Sequence, residues 1–157
     1  MNRIDRKVFD TEKCIGIGVI RKEFVDFFNT HGLNNLLKYD TPINFWKDRV
    51  GHTDEHKDEF MSDIMYRVCF EEIPQIIHHP DYIGIHPKDQ SVSFIRDYST
   101  DHINVAIRVT VSGNLVYRTM YPLIDATLSH YLDKSHAWKV EYDEDENPII
   151  IDKTIED

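Results

Sequence analysis

The chain has 157 residues, with 18 Lys and Arg against 28 Asp and Glu, nine His, two Cys and 41% hydrophobic residues. That length fits one domain and its apolar content is too high for a disordered chain, while the longest apolar runs, such as 15–20, fall far below the roughly 18 residues of a membrane span. The formal charge of −10 argues against a non-specific polyanion binder, because phosphate binding runs on Lys and Arg.

The first residues, Met1 to Lys7, carry positive charge with no apolar core behind it, so no secretory signal is expected. Cys14 and Cys69 are too few for a disulfide framework or a thiolate zinc site and read as free thiols of a reducing cytosol. Val19, Ile20, Phe24, Phe27 and Phe28 recur at helical spacing, which predicts a helix ending near His31-Gly32. Gly16-Ile17-Gly18 is half of a dinucleotide-loop pattern without its third glycine, and reads as glycines at a helix entry. Thr41-Pro42 marks a turn or strand edge. Helical spacing resumes over 45–59 and again over 61–77, where Pro74 sits in a first turn or a break, and His79-Pro80 is a stop signal.

Beyond that stop the hydrophobic period changes to two. Val92, Phe94, Arg96 and Tyr98 share one side of a strand. Ile103, Val105, Ile107, Val109 and Val111 share one face of the next, with Asn104, Ala106, Arg108 and Thr110 on the other. Leu115 to Tyr121 is a third strand, and Asp125 is the expected N-cap of a helix to about Tyr131. The expected class is α+β: N-terminal helices packed on a roughly four-stranded antiparallel sheet, in one domain over 1–138. Residues 139–157 form an acidic tail with eight acids against two bases, so −6 of the −10 lies there and the body keeps room for a basic cleft. Pro148 to Ile151 is a possible added strand in that tail.

The turn Val111-Ser112-Gly113-Asn114-Leu115 joins two alternating strands, and its loop length decides which side chains share a face. With a two-residue loop at Gly113-Asn114, Val111 faces Val116 and Ile107 faces Met120 on the core side. The other face then presents Arg108, Thr119, Tyr121 and Tyr117, a cation among hydroxyls on a rigid ribbon; Arg118 falls on the apolar side. A three-residue loop breaks this parity.

His52 and His56 lie four residues apart and share one face of a helix. The metalloprotease version of that spacing needs Glu directly after the first His, and Thr53 stands there, so no metal is expected. Paired imidazoles suit acid–base work near neutral pH: one takes a proton while the other supplies one. RNA cleavage by its own 2′-hydroxyl needs that pair, together with positive charge and donors on the phosphorane-like transition state.

Gly51-His52-x-x-x-His56-Lys57, Ile76-Ile77-x-x-Pro80-Asp81-Tyr82-Ile83, Val105-Ala106-Ile107-Arg108 and Arg118-Thr119-Met120-Tyr121-Pro122, in this order, resemble a phage-associated nuclease domain. That domain belongs to the barnase, EndoU, colicin-RNase and RelE-like superfamily, and the resemblance covers roughly residues 15–135. It implies helices before an antiparallel sheet whose open face binds RNA, and cofactor-free, metal-independent endoribonuclease chemistry ending in a 2′,3′-cyclic phosphate. The family's histidines fall on His52 and His56, its basic sheet residue on Arg108, and its Thr and Tyr on Thr119 and Tyr121. Lys57, Arg96, Tyr117 and Arg118 are expected as further substrate contacts. The implied setting is the cytoplasm of a bacterial host carrying a phage or prophage, with RNA as substrate and an inhibitor or other protein as possible partner. A nuclease-fold protein without catalysis, acting as an interaction module, is the alternative that the acidic balance favours.

Overall fold

A computed structural model describes residues 3–152. Its eight strands are β1 (Cys14–Val19), β2 (Pro42–Trp46), β3 (Tyr82–Ile85), β4 (Val92–Tyr98), β5 (Asp101–Val109), β6 (Leu115–Leu123), β7 (Ala137–Tyr142) and β8 (Pro148–Ile151). They form one sheet in the order β1-β2-β6-β5-β4-β3-β7-β8, antiparallel throughout except where β2 meets β6. The helices are α1 (Lys22–Phe28), α2 (Asp48–Asp54), α3 (Asp63–Glu71), α4 (Ile73–His78) and α5 (Asp125–Asp133). The class is α+β as expected, but the sheet is twice the expected width. Among the described residues no helix is long and apolar enough to cross a membrane.

Two of the extra strands replace expected helix. Residues 14–19 pair with β2 instead of extending α1. Gly16 and Gly18 disfavour a helix there by about 1 kcal/mol each, and Ile15 and Ile17 alternate with them at period two. Ile15 lies opposite Phe45. Phe45, expected in a helix, sits in β2 with Ile43, and both are fully buried. The stretch 61–77 divides into α3, capped by the Ser62 hydroxyl accepting from the Met65 N–H at 3.0 Å, and α4, with Pro74 in its first turn. At α5 the N-cap is Ile124 without a side-chain bond, not Asp125.

Residues 139–151, expected as tail, belong to the sheet. β7 pairs with β3 on one side and β8 on the other, and Trp138 and Val140 are buried in the core. Residues 153–157 lie outside the described residues.

One face of the sheet carries the main core. Phe24 and Phe28 of α1, Phe70 of α3 and Ile73, Ile76 and Ile77 of α4 pack on Phe45, Phe94, Ile103, Val105 and Ile107. Each such buried side chain contributes about 1.5–3 kcal/mol before the cost of ordering the chain. The opposite face is only partly covered: Leu128 of α5 packs on Ile95 and Leu123, with Tyr82, Tyr121 and Tyr131 around them. Gly84 lets the segment after α5 approach closely, since a Cβ there would stand 2.8 Å from the His136 carbonyl oxygen.

The β5–β6 hairpin turns through three residues, Val111, Ser112 and Gly113, closed by the Thr110 N–H donating to the Asn114 carbonyl at 3.0 Å. Gly113 supplies the left-handed φ of 86° that such a loop requires. The expected parity is therefore broken at the turn: Val111 is 97% exposed, and Tyr117 lies opposite Ile107 with its side chain fully buried. A bulge then intervenes. Ile107 pairs with Tyr117 but Ala106 pairs with Thr119, so Arg118 is the extra residue and the alternation is restored beyond it.

Candidate active site

The bulge decides which hydroxyls reach the open face. Thr119 lies opposite Ala106 and Tyr121 opposite Asn104, so both share the face of Arg108, which pairs with Val116 and is exposed. Thr119 is only 7% exposed and its oxygen has no hydrogen-bond partner. Burial first, then neighbouring Tyr131, pushes the Tyr121 phenol up, keeping it a donor at neutral pH.

α2 brings the histidines to this face. β2 pairs with β6 only at Ile43–Leu115 and Asn44–Val116, then diverges, and α2 fills the gap. Two contacts hold it. Arg49 donates from Nε and Nη2 to the Arg118 carbonyl, at 2.8 and 2.6 Å, using the backbone freed by the bulge. Thr53 donates to the Arg49 carbonyl at 2.8 Å and meets the buried Tyr117 hydroxyl at 2.7 Å. His52 lies within α2 and His56 just past its end, with ring centroids 6.1 Å apart. The His56 ring is 5.4 Å from the Tyr121 ring. Glu59 pairs with the Nδ1 of His56, and Glu55 stands 3.9 Å from that of His52.

Three expected contacts lie elsewhere. Tyr117 belongs to the core, where the three-residue loop turns it, and it supports α2 through Thr53. Arg96 pairs with Ile103 on the opposite face and lines a hollow with Glu72, Gln75 and His79 of the α4 region. Lys57, with Nζ 3.7 Å from Asp63, lines a separate cavity with Arg6, Asp54 and Tyr66.

Arg118, expected on the apolar side, is exposed at the bulge. It pairs with Asp89 and reaches the Ser91 hydroxyl at 3.3 Å, a residue of the β4 side of the open face. Burial alone would raise Asp89, but the Ser91 N–H and Arg118 outweigh it and hold the carboxyl down at about 2.

Two neighbours of this group escaped the sequence reading. Asn104 is 3% exposed beside Tyr121, and its position on the Arg108 side of the strand was visible in the alternation. His136 reaches the same face from the turn after α5, and no spacing signals it. Among the described residues no group of three or more His, Cys, Asp or Glu is arranged to hold a metal ion.

Imidazoles, hydroxyls and a guanidinium around one sheet face are the group types that phosphodiester cleavage employs. Residues 24–130 match the phage-Barnase-EndoU-ColicinE5/D-RelE like nuclease3 family, and the chain belongs to that family of phage-associated nucleases. No curated protein and no solved structure matches the chain.

Proposed function

We propose that this protein is a metal-independent endoribonuclease acting through His52, His56, Arg108, Thr119 and Tyr121. The observation that carries the reading is the grouping of His52, His56 and Tyr121, with ring separations of 6.1 and 5.4 Å, at the border of an open sheet face. One imidazole takes the proton of the RNA 2′-hydroxyl. The freed oxygen attacks phosphorus, the bond from phosphorus to the 5′-oxygen breaks, and the other imidazole protonates that leaving oxygen. The products are a 2′,3′-cyclic phosphate and a 5′-hydroxyl. Arg108 faces the charge that builds on the non-bridging oxygens, and the Thr119 and Tyr121 hydroxyls donate to it. Arg118 adds a second cation from the bulge. The setting is the cytoplasm of a bacterial host, with the gene carried by a phage or prophage.

Purified protein incubated with structured RNA in excess chelator tests this. Cleavage to cyclic-phosphate ends is expected; intact RNA, or cleavage that chelation abolishes, overturns it. The net charge of −10 favours a second reading, a nuclease-fold module that binds a protein partner without cutting. Intact RNA together with a stable complex with a basic protein partner would support that alternative.

A further inference from the structure

We propose that Glu59 is a positioning residue of the reaction: it holds His56 by Nδ1 and so makes Nε2 the nitrogen that exchanges a proton with RNA. The inference rests on the RNA-cleaving reading for its role in catalysis, and on the geometry of one turn for the choice of nitrogen.

The chain builds this contact locally. α2 ends at Asp54, and a single 3-10 turn (Lys57–Glu59) follows it. The Glu59 N–H donates to the His56 carbonyl at 2.9 Å, which closes the turn. Such a turn sets side chains at i and i+3 one above the other. His56 and Glu59 stand at that spacing, with Nδ1 2.5 Å from Oε2. Buried Phe60 and the capped start of α3 at Ser62 anchor the chain on the far side. Tyr121 of β6 lies beside the ring, with centroids 5.4 Å apart, so the imidazole is held by packing and by one bond.

A carboxylate offers only lone pairs, so the proton of this bond belongs to Nδ1. Nε2 has no hydrogen-bond partner among the described residues, and the side chain is 29% exposed. Two other histidines differ. His31 is bonded through Nδ1 to the Phe27 carbonyl and through Nε2 to Asp152, both at 2.8 Å. His102 has both nitrogens on carboxylates, Asp97 and Asp125. Those rings tie elements together and keep nothing for a substrate. His52 is the opposite case: its Nδ1 is 3.9 Å from Glu55, beyond hydrogen-bond reach, so that carboxylate does not choose between its nitrogens.

Charge follows the proton. When Nε2 takes a proton, the ring becomes cationic beside the Glu59 carboxylate; when Nε2 gives one up, Nδ1 keeps its own. The bonds made and broken at phosphorus are those of the proposed cleavage, and no further donor or acceptor enters. The titratable groups facing the ring are Glu59 of its own turn, His52 of α2 and Tyr121 of β6.

The test reads the imidazole nitrogen shifts of the full chain by NMR, at a pH where the ring is neutral, with His56→Ala assigning the signal. Wild type is expected to carry its proton on Nδ1 of His56, the tautomer that an unconstrained histidine disfavours. Glu59→Ala is expected to revert to Nε2–H. On RNA, Glu59→Ala is expected to lower kcat by roughly 10–100-fold with KM little changed. Glu59→Gln, whose amide oxygen can still accept from Nδ1, is expected to recover part of that loss. Glu59 is half-exposed, so the melting curve should stay that of the wild type. An Nε2–H signal in wild type, one tautomer shared by wild type and Glu59→Ala, or unchanged kcat in Glu59→Ala overturns the inference. If RNA is cut in any of those cases, the nuclease reading survives without it. A tautomer that switches as expected in a protein that cuts no RNA removes the nuclease reading and leaves the nitrogen assignment standing.

Discussion

The His56 imidazole lies tilted at 37° against the Tyr121 ring, with centroids 5.4 Å apart, so a residue just past α2 touches the middle of β6. Both rings border the face that carries Arg108 and Thr119. If the pair moves protons, His52→Ala and His56→Ala each lower RNA cleavage by roughly 10²–10⁴-fold. Both side chains lie at the surface or half-buried, so the thermal transition should barely move. Single-turnover cleavage beside a melting curve checks this; full activity in both variants would remove the histidines from the mechanism.

Tyr117 does its work from inside. Burial pushes its phenol far up, so the hydroxyl stays protonated, and Thr53 is its partner at 2.7 Å. Thr53→Val keeps the shape but strands that hydroxyl, and is expected to destabilise the fold by about 1–3 kcal/mol. Adding Tyr117→Phe removes the stranded group, so the double variant should recover part of the loss. Urea titrations of the four proteins close the cycle. A double variant weaker than Thr53→Val alone would contradict the pairing.

The hairpin shows how far the sequence could be read. Alternation over 103–109 placed Arg108 and the core residues correctly, because each strand carries its own period of two. Relative parity between strands depends on the loop and on bulges, and neither has a period. A three-residue loop turned Tyr117 inward, and the bulge at Arg118 turned Thr119 and Tyr121 back out. Two departures from ideal pairing thus cancelled for the hydroxyls and left Tyr117 and Arg118 misassigned. β1 was hidden for a different reason: Val19 and Ile20 flank α1 closely enough to complete its helical stripe, although Ile15 and Ile17 lie in a strand. β7 was hidden by the charges around it, since Trp138 and Val140 point inward between exposed Lys139 and Glu141. The histidine pair was legible only in part: His52 lies in α2 as the spacing expects, but α2 ends at Asp54 and His56 stands in the turn beyond it, so the two do not share one continuous helix although their rings lie 6.1 Å apart.

Asp89 restrains Arg118. Its ionised carboxylate occupies a guanidinium that the bulge presents on the open face. Asp89→Asn removes a negative charge there and releases Arg118 for phosphate. RNA affinity is expected to rise several-fold and the salt dependence to steepen by up to about one phosphate contact. Arg118→Ala should do the opposite. Binding isotherms across a salt series decide it: parallel lines of equal height for wild type and Asp89→Asn would place this pair outside the RNA surface.

His102 couples α5 to the sheet in a pH-dependent way. Its Nδ1 meets Asp97 and its Nε2 meets Asp125, both at 2.6 Å, so one ring joins β4, β5 and the first residue of α5. Burial alone would lower its pKa, but the bonds to Asp97 and Asp125 outweigh burial and the net direction is upward. A histidine raised in the folded state binds its proton more tightly there than in the unfolded chain. Its stabilisation is therefore complete below the unfolded value, near pH 6.5, and is lost as pH climbs through the folded value. Urea midpoints from about pH 5.5 to 9 should fall across that window in the wild type. In His102→Gln, which keeps a hydrogen-bonding side chain but does not titrate, that part of the slope should vanish. Leu128 of α5 packs on Ile95 and Leu123 beside Tyr121, so amide exchange in α5 should quicken over the same range. A slope that persists in His102→Gln would assign the pH dependence to another group.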